Sequence, residues 1–273
     1  MRVSRVSWTD FSSGDLNFVT GCTPISAGCQ NCYARAIYER FGKDHSKVEA
    51  HPDKLERLAT MRFPEHSPKR GAPHRPMAFV VDTGDLFHPD VPTEFIIETF
   101  DVMDHRKDVI WQVLTKRAGR MRAVVWELQV LSGVHLDNIW LGVTVEDQQA
   151  ADERIPLLLD TPAAVRWVSV EPMLAPVDLD RHLWRYDDER GTPFRAPANG
   201  WDRPPALAWV ICGAESGPNR RPFDVAWALD LYRQCEAAGV RFFYKQGSAL
   251  RPGQDAILPG VGVVQQWPEE VGA

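Results

Sequence analysis

Seven short apolar runs, at 16–20, 77–81, 109–114, 139–143, 165–170, 208–212 and 240–244, constrain this chain more than any other feature. Each is apolar nearly throughout instead of alternating, so a strand built from it must be covered on both faces, which is the condition of a parallel sheet. Helix-forming stretches follow five of them, at 33–41, 94–105, 118–131, 147–159 and 224–238, and this alternation predicts βα units. The expected fold is α/β, a partial or near-complete (β/α) barrel of mostly parallel strands. It is expected to form one domain over residues 1–248, with residues 249–273 as a C-terminal cap or tail. Two stretches break the rhythm, 42–76 and 181–205, and are read as insertions over one face, either lids and binding surfaces or solvated decoration.

At 273 residues and 44% hydrophobic content the chain is long enough to bury a large core. Its formal charge of -6 argues against broad adhesion to nucleic acid or anionic membrane, while leaving room for a local basic groove. Arg2 and Arg5 are followed by Trp8, Thr9 and Asp10, with no apolar segment of the kind a signal peptide needs, and no apolar run approaches the ~20 residues that span a bilayer. The expectation is a soluble, cytoplasmic protein with no membrane partner.

Every strand candidate ends in polar residues. In a parallel α/β sheet or barrel the strand ends converge on one mouth, where active residues gather. Asp82, Asp85, Lys116, Arg117, Thr144, Glu146, Ser169, Glu171, Glu215, Ser216, Lys245 and Gln246 would face it. Asp85, Glu146, Glu171 and Glu215 suit ribose hydroxyls or an ammonium group, and Lys116, Arg117 and Lys245 suit a carboxylate or phosphate. Any one of them could equally be a cap or a solvated helix start.

Beside the first run lies Gly21-Cys-Thr-Pro-Ile-Ser-Ala-Gly-Cys-Gln-Asn-Cys-Tyr33, which places Cys22, Cys29 and Cys32 in one loop. Clustered cysteines in a reducing compartment point to metal or redox chemistry. Three thiolates close neither a four-coordinate zinc site nor a four-iron cluster. Either a distant ligand joins them, with His45, His51, His66 and His74 as candidates for zinc, or one position stays open to a non-protein ligand. Disulfides are the competing reading. Cys212 and Cys235 stand alone and read as buried packing residues.

A three-cysteine loop after the first strand of a repeating βα chain resembles the radical SAM superfamily. The phrases Val-Thr-Gly-Cys-Thr-Pro (19–24), Gly-Asp-Leu-Phe-His (84–88), Leu-Thr-Lys-Arg (114–117), Leu-Gly-Val-Thr-Val-Glu (141–146), Ser-Val-Glu-Pro (169–172), Gly-Ala-Glu-Ser-Gly (213–217) and Phe-Phe-Tyr-Lys-Gln (242–246) look more closely like the phage and bacterial three-Cys-motif family, over roughly residues 8–248. The resemblance implies a [4Fe-4S] cluster on Cys22, Cys29 and Cys32. It implies S-adenosylmethionine on the fourth iron, cleaved by one electron to methionine and a 5′-deoxyadenosyl radical. An electron donor such as flavodoxin or ferredoxin follows, with a nucleotide or nucleic-acid base as the expected substrate class.

On the same resemblance Gly84, Asp85, Thr144, Glu146, Ser169 and Glu171 would bind the cofactor, and Lys116, Arg117, Glu215 and Lys245 would serve catalysis. The chain departs from the common superfamily loop in two places. Six residues, not three, separate the first two cysteines, and Asn31 stands where an aromatic residue usually precedes the third, so that Tyr33 is expected to take over. The alternative function is a non-catalytic zinc or iron-sulfur protein on a barrel scaffold. A barrel hydrolase using the rim carboxylates would leave the cysteine loop unexplained.

Overall fold

The computed structural model describes residues 2–132, 135–183, 185–186, 193–194 and 207–270. Most of the insertion expected at 181–205 therefore lies outside the described residues. In chain order the strands are β1 (Val19–Thr20), β2 (Glu49–Ala50), β3 (Met77–Phe79), β4 (Ile110–Thr115), β5 (Ile139–Thr144), β6 (Val165–Val170), β7 (Arg185–Tyr186), β8 (Pro193–Phe194), β9 (Trp209–Gly213) and β10 (Arg241–Gln246). The helices are α1 (Tyr33–Arg40), α2 (Pro52–Thr60), α3 (Thr93–His105), α4 (Ala118–Ser132), α5 (Gln148–Leu159), α6 (Asp180–Leu183) and α7 (Val225–Ala238).

Six strands form one sheet in the order β3-β4-β5-β6-β9-β10, and every neighbouring pair is parallel. Spatial order never reverses relative to chain order. Crossovers of one hand then lay the helices on one face and leave the other to curl in on itself, which makes a partial barrel instead of a doubly wound sheet.

The two faces carry different cores. Outward-facing Trp111, Val113, Leu141, Val143, Val168, Val210 and Tyr244 belong to the larger cluster, shared with α2, α3, α4, α5 and α7. Inward-facing Met77, Ile110, Trp140, Trp167, Trp209, Ile211 and Phe243 form a second cluster with Trp8 and Trp267. The Trp267 indole donates to the Trp8 carbonyl at 3.2 Å, so both ends of the chain join in plugging the barrel interior. The Trp167 ring lies against Gly142, where an added Cβ would come within 2.4 Å of it. Aromatic rings thus fill the N-terminal end of the interior, and the polar chemistry is left to the opposite mouth.

The first apolar run is a correction. Residues 16–20 do not supply a strand of the parallel sheet: Gly14–Leu16 is a 3-10 turn, and only Val19–Thr20 is extended, pairing antiparallel with Glu49–Ala50. Leu16, Phe18 and Val19 are nonetheless buried, so the run's apolarity reports burial and not strand pairing. The insertion at 42–76 is also more ordered than a loop. It contains β2 and the amphipathic α2, which buries Leu55 and Leu58.

Candidate functional site

Cys22, Cys29 and Cys32 are free thiols on the wall of one cavity of about 200 Å³, together with Arg35, Lys43 and His45. The loop that carries them is held over the barrel mouth by three ion pairs, each reaching a different part of it. At the Cys22 end, Arg117 donates to Asp85 Oδ2 at 2.7 Å, to the Thr23 carbonyl at 3.0 Å and to the Thr23 hydroxyl at 3.1 Å, and lies 3.5 Å from Cys22 Sγ. Asp85 Oδ1 accepts from the Thr115 hydroxyl and the Phe87 amide, so the phrases at 84–88 and 114–117 together form the seat for this arm.

In the middle of the loop, the Gly28 amide lies 3.4 Å from Glu146 Oε1, while Glu146 Oε2 pairs with Arg154 at 2.8 Å. Gly28 leaves room for this approach, since a Cβ there would meet the Glu146 carboxylate at 3.2 Å and Lys116 Nζ at 3.4 Å. Burial pushes the Glu146 pKa up, but the Lys116 ammonium, the Ser26 hydroxyl and Arg154 together hold it below the ordinary glutamate value.

At the far end, Glu215 takes the Arg221 guanidinium and backbone amide and accepts from Asn31 Nδ2 at 3.0 Å. Arg221 continues to the Ala27 carbonyl at 3.0 Å. Arg35, one turn into α1, donates to the Cys29 carbonyl at 2.7 Å. Electrostatics differ along the loop. Burial and the Asp85 carboxylate raise the Cys22 pKa against the pull of Arg117. For Cys29, burial is outweighed by the Ile25 amide, Lys116 and Ser26, and its pKa is lowered.

A family model described as "Protein of unknown function (DUF5131)" matches residues 3–257. The chain belongs to that family. No curated protein matches it. Among solved structures it is similar to spore photoproduct lyase complexed with dinucleoside spore photoproduct, at a TM-score of 0.49 and 12% identity, covering 91% of this chain and 80% of that one. A tyrosine-to-phenylalanine mutant of the same lyase gives 0.48 at 12% identity with the same coverage. A double mutant with bound AdoMet and dinucleoside spore photoproduct gives 0.43 at 13% identity, over 85% and 55% of the two chains.

The residues expected at the mouth divide into two groups. Lys116, Arg117, Glu215, Asp85 and Glu146 turn toward the cysteine loop; Arg117, Asp85, Glu146 and Glu215 are engaged in ion pairs, and Lys116 lies beside Gly28. Glu171 and Lys245 pair with each other, half-buried at the ends of β6 and β10, clear of the loop's ion pairs. Thr144 and Ser169 are buried at the ends of β5 and β6, and Gly84 bridges to Gly21 beneath Cys22. Sequence reasoning missed Arg154 and the inward role of Arg35. Arg154 had a signal: on α5 it falls in the stripe of Ala150, Ala151, Ile155 and Leu158, where a cation has no business unless an acid waits in the core.

Asp82, at the end of β3, accepts from Asn17 Nδ2 at 2.6 Å, and its carbonyl takes the Tyr33 hydroxyl. Burial raises its pKa to about 6, against the hydrogen bonds from Asn17 and Ser12. A carboxyl raised from 3.8 to about 6 binds its proton more tightly when folded, so stability falls as pH climbs through 4 to 6, and the full cost is present above that window. Asp82→Asn is expected to stabilise the fold at pH 8 by about 3 kcal/mol, and by about a third of that at pH 4.5. Thermal unfolding at the two pH values checks this. An equal change at both would remove the assignment.

No helix among the described residues is long and apolar enough to cross a membrane.

Proposed function

We propose that Cys22, Cys29 and Cys32 hold a [4Fe-4S] cluster with S-adenosylmethionine on its open iron, and that the protein is a radical SAM enzyme acting on a nucleotide or nucleic-acid base. The observation that carries this reading is the loop itself: three reduced thiols on one cavity wall, pinned by three separate ion pairs. A disulfide or a packing role for these cysteines would need none of that apparatus. Among the described residues, no three His, Cys, Asp or Glu side chains are gathered closely enough to hold a single metal ion. Three thiolates and no fourth protein donor is the ligand set that leaves one iron of a four-iron cluster open, so the donor type and number suit that group.

When bound, the cluster supplies the electron that starts hydrogen-atom abstraction from substrate. The chain's own part is to fix three sulfurs with Arg117, Glu146 and Glu215, and to keep a positive charge, Lys116, beside Cys29. For S-adenosylmethionine, Gly84, Thr144 and Ser169 offer positions under the loop, while Asp85 and Glu146 are already engaged. For substrate, the Glu171–Lys245 pair sets an acceptor next to a donor at the mouth, which complements the adjacent donor and acceptor on a base edge. An electron donor such as flavodoxin or ferredoxin would complete the system.

The test is anaerobic reconstitution with iron and sulfide, followed by reduction and assay of 5′-deoxyadenosine, with the Cys22→Ala, Cys29→Ala, Cys32→Ala triple variant alongside. The wild type should bind about four irons per chain and release 5′-deoxyadenosine, and the triple variant should do neither. Zinc bound without iron would replace this reading with a structural site, for which His45, on the same cavity wall, is a candidate fourth ligand.

A further inference from the structure

A second cavity, of about 620 Å³, opens on the outer flank of β10, away from the cysteine loop. Its size is that of small-ligand sites. Phe223 and Trp227, edge to face at the start of α7, form one wall, and Tyr244 from the outer face of β10 forms the floor. The chain after β10 supplies the rest: it folds back so that the Gly247 amide donates to the Asp255 carbonyl at 3.0 Å, which brings Asp255 and Ile257 to the rim.

Two features of this cavity are unspent. Tyr244 is 1% exposed, yet its hydroxyl has no hydrogen-bond partner among the described residues. That hydroxyl is not among the polar atoms sealed from solvent, so it meets whatever fills the cavity, water or a ligand. Asp255, an exposed residue with a left-handed φ of 54°, brings a carboxylate to the rim that has no ion pair or hydrogen bond among the described residues. Asp224, exposed among the lining residues, caps α7 through one oxygen, accepting from the Ala226 amide at 2.9 Å. No lysine, arginine or histidine lines the space.

We propose that this cavity binds a small organic cation with a flat apolar body, an arylalkylamine or arylalkylguanidine. The ring packs among Phe223, Trp227 and Ile257, the cation pairs with Asp255 and Asp224 over the tryptophan face, and the Tyr244 hydroxyl gains the partner it lacks. Anionic ligands are disfavoured by the two carboxylates.

Isothermal titration of the full chain with phenethylamine and with phenylacetate, its anionic counterpart, tests the assignment without any cluster being loaded. Phenethylamine should bind at least about tenfold more tightly than phenylacetate, and Asp255→Asn should weaken it by about tenfold. Asparagine tolerates the left-handed backbone, so this variant keeps the fold, which its thermal midpoint verifies. Tyr244→Phe, which removes only an unpartnered hydroxyl, should weaken binding severalfold without lowering stability. Undetectable binding of phenethylamine, equal binding of phenylacetate, or an unaffected Asp255→Asn protein would each overturn the proposal. So would tighter binding of acetyl-arginine amide than of phenethylamine, which would assign the cavity to the basic side chain of a protein partner.

Discussion

Arg117→Ala is expected to destabilise the protein by about 3–5 kcal/mol, lowering the thermal midpoint by about 10 °C, and to loosen the cysteine loop at Cys22. The size of the effect comes from what the substitution leaves behind. Arg117 and Asp85 have side chains only 10% and 7% exposed, and among the described residues no other cation is bonded to Asp85. Removing the guanidinium strands a buried carboxylate and frees the Thr23 carbonyl and hydroxyl that it had gathered in. Adding Asp85→Asn should recover about half of the loss. The amide is neutral, while its oxygen still accepts from Phe87 and Thr115. Arg117→Lys should fall between, because an ammonium cannot reach both the carboxylate and Thr23 with the geometry of a planar fork. Faster alkylation of Cys22 in Arg117→Ala would tie the loss to the loop. A midpoint within 1–2 °C of wild type would show that the pair is not the anchor described.

The sheet was legible because a strand covered on both faces writes itself as an unbroken apolar run. Six of the seven runs fall on β3, β4, β5, β6, β9 and β10, with ends shifted by a residue or two. What the runs could not distinguish was burial by pairing from burial by packing. Phe18 is as buried as Trp111, yet the chain around it is a turn and a two-residue strand, because Gly14 and Gly21 both adopt positive φ and interrupt it between isolated parallel bridges at Phe11 and Gly21. The helix α2 was hidden by its charge. With Asp53, Lys54, Glu56 and Arg57 around two leucines, its composition matches a solvated loop, and only the tertiary contact of Leu55 and Leu58 turns it into a core element.

Which residues stand at the strand ends was readable, but what they face was not. Each carboxylate's work depends on which cation arrives from elsewhere. Glu146 meets Arg154 from eight residues on, and Glu215 meets Arg221 from six, both chosen by the path of the following helix or loop. Arg220 and Arg221 look alike in sequence. Yet Arg221 is folded onto Glu215 and the Ala27 carbonyl, so one member of this basic pair is an internal strut. The mouth is accordingly less rich in free charge than the sequence suggests, with Glu171 and Lys245 standing apart from the struts under the cysteines.

The same economy makes Gly21 the most exacting position in the loop. Its φ is 83°, and a Cβ built there would come within 2.1 Å of the Lys47 carbonyl oxygen and 3.0 Å of that of His45, both backbone atoms that cannot swing aside. The residue beside it, Cys22, donates its amide to that same His45 carbonyl at 2.8 Å. Gly21→Ala must therefore pay for a left-handed backbone, about 1–2 kcal/mol, and in addition push β1 and the Cys22 amide off the 45–47 segment. The expected loss is about 3 kcal/mol or more, a fall of roughly 6 °C or more in the thermal midpoint, together with impaired iron uptake on reconstitution. Gly119→Ala serves as the control. That glycine sits in α4 with nothing within 4 Å of the added methyl, so the change should leave iron uptake intact and stabilise the helix by up to about 1 kcal/mol. Equal effects at the two glycines would mean that backbone entropy, not the contact with 45–47, governs this turn, and that Cys22 does not depend on it for its place.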